Sequence, residues 1–76
     1  MDVELLVTMA NDVAAFFHGA ASPDEAARAV AAHLRNYWDP RMRRQIIEHL
    51  RSGGASLSAT ALAGVELLAS EARPPA

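Results

Sequence analysis

The side chains best suited to chemistry in this 76-residue chain are arginines at the start of one predicted helix. The stretch WDPRMRR, residues 38–44, contains Arg41, Arg43 and Arg44. A guanidinium group presents a planar fork of N–H donors that pairs with carboxylates or with backbone carbonyls. Cations are disfavoured at a helix N-terminus, where the backbone dipole is already positive, by on the order of 0.3–1 kcal/mol each. Three arginines at such a position therefore require a specific explanation.

The three arginines differ in their position around the predicted helix. At 100° per residue, Arg43 falls inside the apolar arc, whereas Arg41 and Arg44 fall outside it. Carboxylates or backbone carbonyls at the edge of a core, in this chain or in another, would satisfy Arg43; the alternative is that it extends to water. For Arg41 and Arg44 the alternative is a solvated face, with Arg44 paired to Glu48 and Asp39 offsetting the charge. The apolar arc consists of Met42, Ile46, Ile47 and Leu50.

Aromatic residues beside the arginines extend the candidate site. Tyr37 and Trp38 directly precede this turn, and tryptophan together with arginine is enriched at binding hot spots. The alternative is that Trp38, the single tryptophan, anchors the core. We predict a partner-binding segment that consists of Tyr37, Trp38, Asp39, Pro40, Arg41, Met42, Arg43 and Arg44.

The remaining side chains give no support for an active site or a cofactor site. The chain has no cysteine, which excludes disulfides and thiolate metal sites. His18, His33 and His49 fall on different predicted helices, without the Glu-x-x-His pairs that metal-binding bundles use. Serine and threonine occur chiefly at predicted caps, and Gly53-Gly54 follows a helix, whereas phosphate-binding glycines follow a strand. We predict that this chain is not an enzyme and binds no cofactor or metal by itself.

Charge and hydropathy limit the class of partner. The net charge is −2, so we expect no nonspecific nucleic-acid binding, which requires an excess of positive charge on one face. No apolar run reaches the length of a membrane span, and the first residues lack the basic region, hydrophobic stretch and cleavage site that are typical of a secretion signal. We therefore expect a cytoplasmic protein without a nucleic-acid or membrane partner.

Helical periodicity and capping signals predict the elements that position these residues. Apolar residues from Leu5 to Phe17 recur at helical spacing, and this first helix is expected to bury most of its circumference, including Leu5 and Phe16. The pattern predicts an all-α fold, a small bundle of three to four short helices in a single domain, 1–76. The predicted helix caps are Asp2, Ser22, Asp39 and Ser58, and the helices span about residues 2–18, 23–36, 40–51 and 58–72, followed by a tail, 73–76.

One family resembles the chain in its motifs. The stretch WDPRMRRQI, with MANDVAAFF upstream and Gly-Gly followed by leucine downstream, resembles the small delta subunit of cytoplasmic, NAD-dependent, molybdenum-containing formate dehydrogenases. The resemblance runs from about Leu5 to Leu68. Its most specific element is residues 38–44, supported by residues 9–11 and by Phe16-Phe17. The chain departs from the family pattern at Ser58-Ala59, where Asp-Pro is expected.

The resemblance implies an accessory role. By this resemblance, the chain would be a noncatalytic partner of a large catalytic subunit that holds bis-molybdopterin guanine dinucleotide and iron–sulfur clusters. Other subunits would pass electrons through FMN to NAD. We therefore expect this chain to dock on the large catalytic subunit and to stabilise it, with residues 37–44 at the contact. One alternative is a transient assembly factor for cofactor insertion into that enzyme. Another is a helix-turn-helix DNA-binding domain with the third helix in the major groove, against which the negative net charge argues.

Overall fold

Four helices joined by short loops make up the computed structural model of the chain, which describes residues 2–20 and 22–72. The helices are α1 (Val3–Phe17), α2 (Pro23–Tyr37), α3 (Pro40–Arg51) and α4 (Ala59–Ala72). The described residues contain no strand, so the predicted all-α fold is confirmed. The predicted helix ends differ from these by no more than one residue. The predicted tail, 73–76, lies outside the described residues.

Each helix begins where a polar side chain caps its first turn. Asp2 accepts a hydrogen bond from the N–H two residues later at 3.1 Å, and Ser22 from the N–H three residues later at 3.1 Å. Asp39 and Ser58 accept from the N–H three residues later, at 2.9 and 3.2 Å. All four predicted caps are confirmed. Each cap satisfies an N–H that the helix leaves unpaired and contributes about 1 kcal/mol.

Helix α3 ends in a Schellman motif. The Gly53 N–H donates to the Leu50 carbonyl at 3.0 Å, and the Gly54 N–H donates to the His49 carbonyl at 2.9 Å. Both glycines have positive φ, +121° and +65°, which a residue with a side chain rarely adopts. The two glycines therefore satisfy the last carbonyls of α3 and turn the chain towards α4.

Helices α2 and α4 make the most extensive helix–helix contact and form the centre of the bundle. They approach closely at Gly64, where an added Cβ would lie 2.4 Å from Cγ1 of Val30. A glycine in α4 therefore makes room for a β-branched side chain of α2. The buried core cluster consists of Leu6, Val7, Ala10, Ala14, Val30, Ala31, Leu34, Trp38, Ile46, Ile47, Ala61, Val65 and Leu68.

Helix α1 buries a narrower face than its sequence predicts. Leu6, Ala10 and Ala14, each four residues apart, are buried. The prediction that α1 also buries Leu5 and Phe16 is wrong, because these side chains are 48% and 79% exposed. Four residues complete just over one helical turn, so the buried residues form a single stripe. Among the described residues, the other helices cover α1 along this stripe and leave Leu5 and Phe16 exposed.

A side chain of α1 holds the loop between α3 and α4. The Asn11 side-chain amide nitrogen donates to the Ser56 carbonyl at 2.9 Å, and its oxygen accepts from the Ser58 N–H at 2.9 Å. In the same loop, the Ala55 carbonyl oxygen lies 2.8 Å from His49 Nε2 of α3. Asn11 thus satisfies two backbone groups of a segment whose Ser56 has a φ of 68°.

Replacing Asn11 with alanine should lower the free energy of unfolding by about 1–3 kcal/mol, since two hydrogen bonds are lost. Asn11→Asp should not restore stability at neutral pH, because a carboxylate oxygen would then face the Ser56 carbonyl. Asp12→Ala is the matched control, since the Asp12 side chain is exposed and its carboxylate has no hydrogen bond among the described residues. Thermal unfolding followed by circular dichroism measures the difference. Equal melting temperatures for Asn11→Ala and Asp12→Ala would contradict this role.

Candidate partner-binding site

The predicted partner-binding segment forms the junction between α2 and α3. Two residues, Trp38 and Asp39, connect the helices. Because Pro40 disfavours helical geometry in the residue before it, Asp39 is extended, with φ −73° and ψ 165°. The junction is therefore sharp, and it places Tyr37 at the end of one helix and Arg41 at the start of the next.

The two aromatic residues of the junction have opposite environments. Trp38 is 6% exposed and belongs to the buried core cluster, whereas Tyr37 is 76% exposed. The Trp38 N–H donates to the Leu34 carbonyl at 3.0 Å, which continues the hydrogen-bonding pattern of α2 by one residue. Trp38 therefore anchors the junction from within the core, and the Tyr37 ring faces solvent.

Arg43 is satisfied within the chain. Its Nη1 donates to the carbonyls of Arg35 and Trp38 at 2.7 and 2.9 Å. These carbonyls lie at the C-terminal end of α2, where the helix dipole is negative and the last C=O groups lack helical partners. The guanidinium thus caps α2 from the first turns of α3. Both acceptors of Arg43 are backbone carbonyls of this chain, so no second polypeptide is needed to explain its position.

Arg41 and Arg44 are left exposed. The Arg44–Glu48 pair of the alternative interpretation is not formed: among residues 2–20 and 22–72, the ion pairs are Arg28 with Asp24 and Arg35 with Glu71. The nearby Asp39 carboxylate accepts from the backbone of α3. Neither the Arg41 nor the Arg44 guanidinium has a hydrogen bond among these residues. The fold explains Arg43 and leaves Arg41 and Arg44 without an explanation.

A groove lies beside Arg44, between the end of α2, the start of α3 and the end of α4. Its volume is ≈ 290 Å³, at the lower limit of small-molecule sites. Such a space suits one or two side chains better than a dinucleotide cofactor. The Arg35–Glu71 ion pair borders one side, and Arg44 is the bordering cation that has no partner among the described residues. The lining residues are Arg35, Pro40, Arg43, Arg44, Ile47, Leu68, Glu71 and Ala72.

A row of aromatic rings on α1 and α2 is a surface that the sequence did not reveal. The centroids of Phe16 and Phe17 are 5.0 Å apart, those of Phe17 and His33 6.4 Å, and those of His33 and Tyr37 4.8 Å. Helical spacing does place Phe17 within the first apolar arc, and His33 lies four residues before Tyr37. The sequence cannot show that the two helices bring these rings together. The row ends at Tyr37, beside the junction.

The described residues contain no cluster of at least three histidine, cysteine, aspartate or glutamate side chains that could hold a metal ion. His18 lies at the C-cap of α1, His33 lies between aromatic rings, and His49 contacts the α3–α4 loop. In the same part of the chain, no helix has the length and apolar character required to cross a bilayer.

Comparison with known families agrees with the motif at the junction. The model of the FdsD family, described as the NADH-dependent formate dehydrogenase delta subunit, matches residues 5–65. The chain belongs to the FdsD family. The match includes the junction and Asn11, and it ends within α4. The chain shows no significant match to a curated protein or to a solved structure.

In this FdsD-family chain, Arg41→Glu should raise the free energy of unfolding by about 0.3–1 kcal/mol, because it replaces a cation with an anion in the first turn of α3. That gain corresponds to a melting temperature higher by roughly 1–8 °C. Arg28→Glu is the matched control: it breaks the exposed pair with Asp24 and should cost a few tenths of a kcal/mol. A lower melting temperature for Arg41→Glu than for the unsubstituted chain would show that Arg41 contributes to the fold.

Proposed function

We propose that the chain is a noncatalytic accessory subunit that docks on the large, molybdenum-containing catalytic subunit of an NAD-dependent formate dehydrogenase and stabilises it. Membership of the FdsD family supports the assignment to a formate dehydrogenase. The exposure of Arg41 and Arg44 supports the proposal that the chain docks on another subunit. These cations stand at a helix N-terminus without a partner among the described residues, which lowers the stability of the isolated fold. A partner that supplies acceptors offsets this cost.

The redox chemistry belongs to other subunits in this proposal. Bis-molybdopterin guanine dinucleotide and iron–sulfur clusters lie in the catalytic subunit, and the FMN and NAD sites lie in its redox partners. The absence of cysteine supports this division, because iron–sulfur clusters are held mainly by cysteine thiolates. The proposed complex is cytoplasmic.

Purification of the enzyme with and without this chain tests the proposal. We expect the complex that lacks the chain to lose activity on heating at a lower temperature, since a ligand that binds only the folded state stabilises it. Inactivation temperature, activity and molybdenum per catalytic subunit are the measurements. If all three are the same in both preparations, the chain does not stabilise the enzyme.

The polar character of the site favours a second candidate, a transient assembly factor for cofactor insertion. Permanent interfaces are more hydrophobic than transient ones, and the large apolar side chains exposed in the described residues are Leu5, Phe16 and Tyr37. The stoichiometry of the mature complex separates the candidates. A permanent subunit remains at one copy per catalytic subunit, whereas an assembly factor is present only in the cofactor-free form.

A further inference from the structure

The exposed side of α3 carries a stripe of positive charge. Arg41, Arg44, Glu48 and Arg51 follow one another at intervals of three, four and three residues, which places them on one side of a helix. All four are exposed, and none of their side chains has an ion pair or hydrogen bond among the described residues. The stripe has a net charge of +2 from three arginines and one glutamate, and extends about 15 Å along the helix.

The positive charge of the stripe contrasts with the rest of the chain. Residues 39–51 contain four arginines and two acidic residues, a net charge of +2, whereas the whole chain has −2. The remainder therefore has a net charge of −4. A complementary partner surface must be acidic where it meets α3, since like charges across an interface are strongly unfavourable.

An apolar groove borders this stripe. Pro40 is exposed at the mouth of the groove, and the side chains of Ile47 and Leu68 lie beneath it with 7% and 3% exposure. Arg44 belongs both to the stripe and to the groove wall. A cation next to a recess that admits one or two side chains suits a segment in which an apolar residue is adjacent to a carboxylate.

We infer that an acidic segment of the catalytic subunit binds across this surface, an inference that rests on the function proposed above. Carboxylates of that segment pair with Arg41 and Arg44, and an apolar side chain enters the groove against Pro40. Arg43 lies behind the surface and keeps its bonds to the α2 carbonyls. The interface is therefore electrostatic at its centre and sensitive to salt.

A protein surface fits the stripe better than duplex DNA does. Glu48 lies between Arg44 and Arg51, where it would repel a phosphate backbone. The chain also has negative net charge, which opposes the nonspecific attraction on which DNA binding relies. A protein segment can place a donor opposite Glu48 and carboxylates opposite the arginines.

The test is the affinity of the full-length chain for the purified catalytic subunit, measured by biolayer interferometry at about 0.1 M and about 1 M salt, where the Debye length falls from about 10 Å to about 3 Å. We expect the double variant Arg41→Glu, Arg44→Glu to bind about 10- to 100-fold more weakly at the lower salt. Arg28→Glu, the same substitution at one exposed site of α2, changes the net charge by −2 where the double variant changes it by −4, and should bind as the unsubstituted chain does. Circular dichroism should show that all the variants are folded.

The outcomes distinguish a failure of the proposed binding surface from a failure of the proposed function. A loss confined to the double variant, together with weaker binding of the unsubstituted chain at high salt, supports the inference. Equal affinity of the double variant and Arg28→Glu overturns the surface while leaving the proposed function intact. An unsubstituted chain that does not bind the catalytic subunit overturns both, and salt-sensitive binding to duplex DNA in its place would identify the partner class as nucleic acid.

Discussion

Gly64→Ala should lower the free energy of unfolding by about 2 kcal/mol, even though alanine favours a helix over glycine by about 1 kcal/mol. The reason is the contact between α2 and α4. The added Cβ would lie 2.4 Å from Cγ1 and 2.6 Å from Cβ of Val30, far inside van der Waals contact. Val30 is fully buried and, as a β-branched residue, cannot easily rotate away. The helices must separate, which loosens the centre of the core.

Thermal unfolding measures this effect, with an expected fall in melting temperature of roughly 8–16 °C. Gly19→Ala is the control, because an added Cβ there meets no heavy atom within 4 Å. The double variant Gly64→Ala, Val30→Ala should cost less than the sum of the two single changes, since the new methyl group occupies space that Val30 leaves. Strict additivity would show that the close approach is not the cause.

Arg43→Ala should lower the free energy of unfolding by about 1.5–3 kcal/mol, the range for hydrogen bonds to a charged group. Two bonds are lost, to the carbonyls of Arg35 and Trp38, and water replaces them only in part because the second lies in a partly buried site. The removal also takes a cation away from the C-terminal end of α2. Chemical denaturation of the isolated chain measures this change without any partner present.

Arg43→Lys and Arg44→Ala are the informative comparisons. Lysine keeps the charge but lacks the planar fork, so the stability of Arg43→Lys should lie between those of the unsubstituted chain and Arg43→Ala. Arg44→Ala should leave stability within about 0.5 kcal/mol of the unsubstituted chain, as for other exposed sites. If Arg43→Ala unfolds with the same midpoint as Arg44→Ala, the bonds to α2 contribute nothing and Arg43 belongs with the exposed arginines.

The sequence predicts the helices well because their ends depend on local chemistry. Asp39 and Ser58 cap the helices that follow them, and Gly53 ends α3, each through hydrogen bonds that span five residues or fewer. Proline at the first position of α2 and α3 adds a second local signal. Such patterns are visible in a short window of sequence, so the predicted helix ends lie within one residue of those observed.

Long-range packing was less accessible from the sequence. The α1 periodicity allows Phe16 to be buried, but the neighbouring helices cover only the stripe that contains Leu6 and Ala10. Asn11 and Ser56 are 45 residues apart, and no local pattern connects them. The same holds for Gly64, whose function depends on the side chain of α2 that it faces.

Part of the candidate site was also predictable from the sequence, and part was not. Helical geometry places Arg43 on the apolar side of α3, and the structure identifies its acceptors as the α2 carbonyls. The exposure of Arg41 and Arg44 follows from the same geometry. Arg51 lies outside the predicted segment, but it is part of the same exposed stripe of α3. The burial of Trp38 shows that the junction motif combines a structural anchor with an exposed rim.

Arginine-specific labelling of the chain, free and bound to the catalytic subunit, shows whether the partner covers the exposed arginines of α3. Phenylglyoxal modification read by mass spectrometry reports the accessibility of each guanidinium. We expect Arg41 and Arg44 to react in the free chain and to be protected in the complex, while Arg28 reacts equally in both. If Arg41 and Arg44 react as readily in the complex as in the free chain, the exposed arginines of α3 are not where the partner binds.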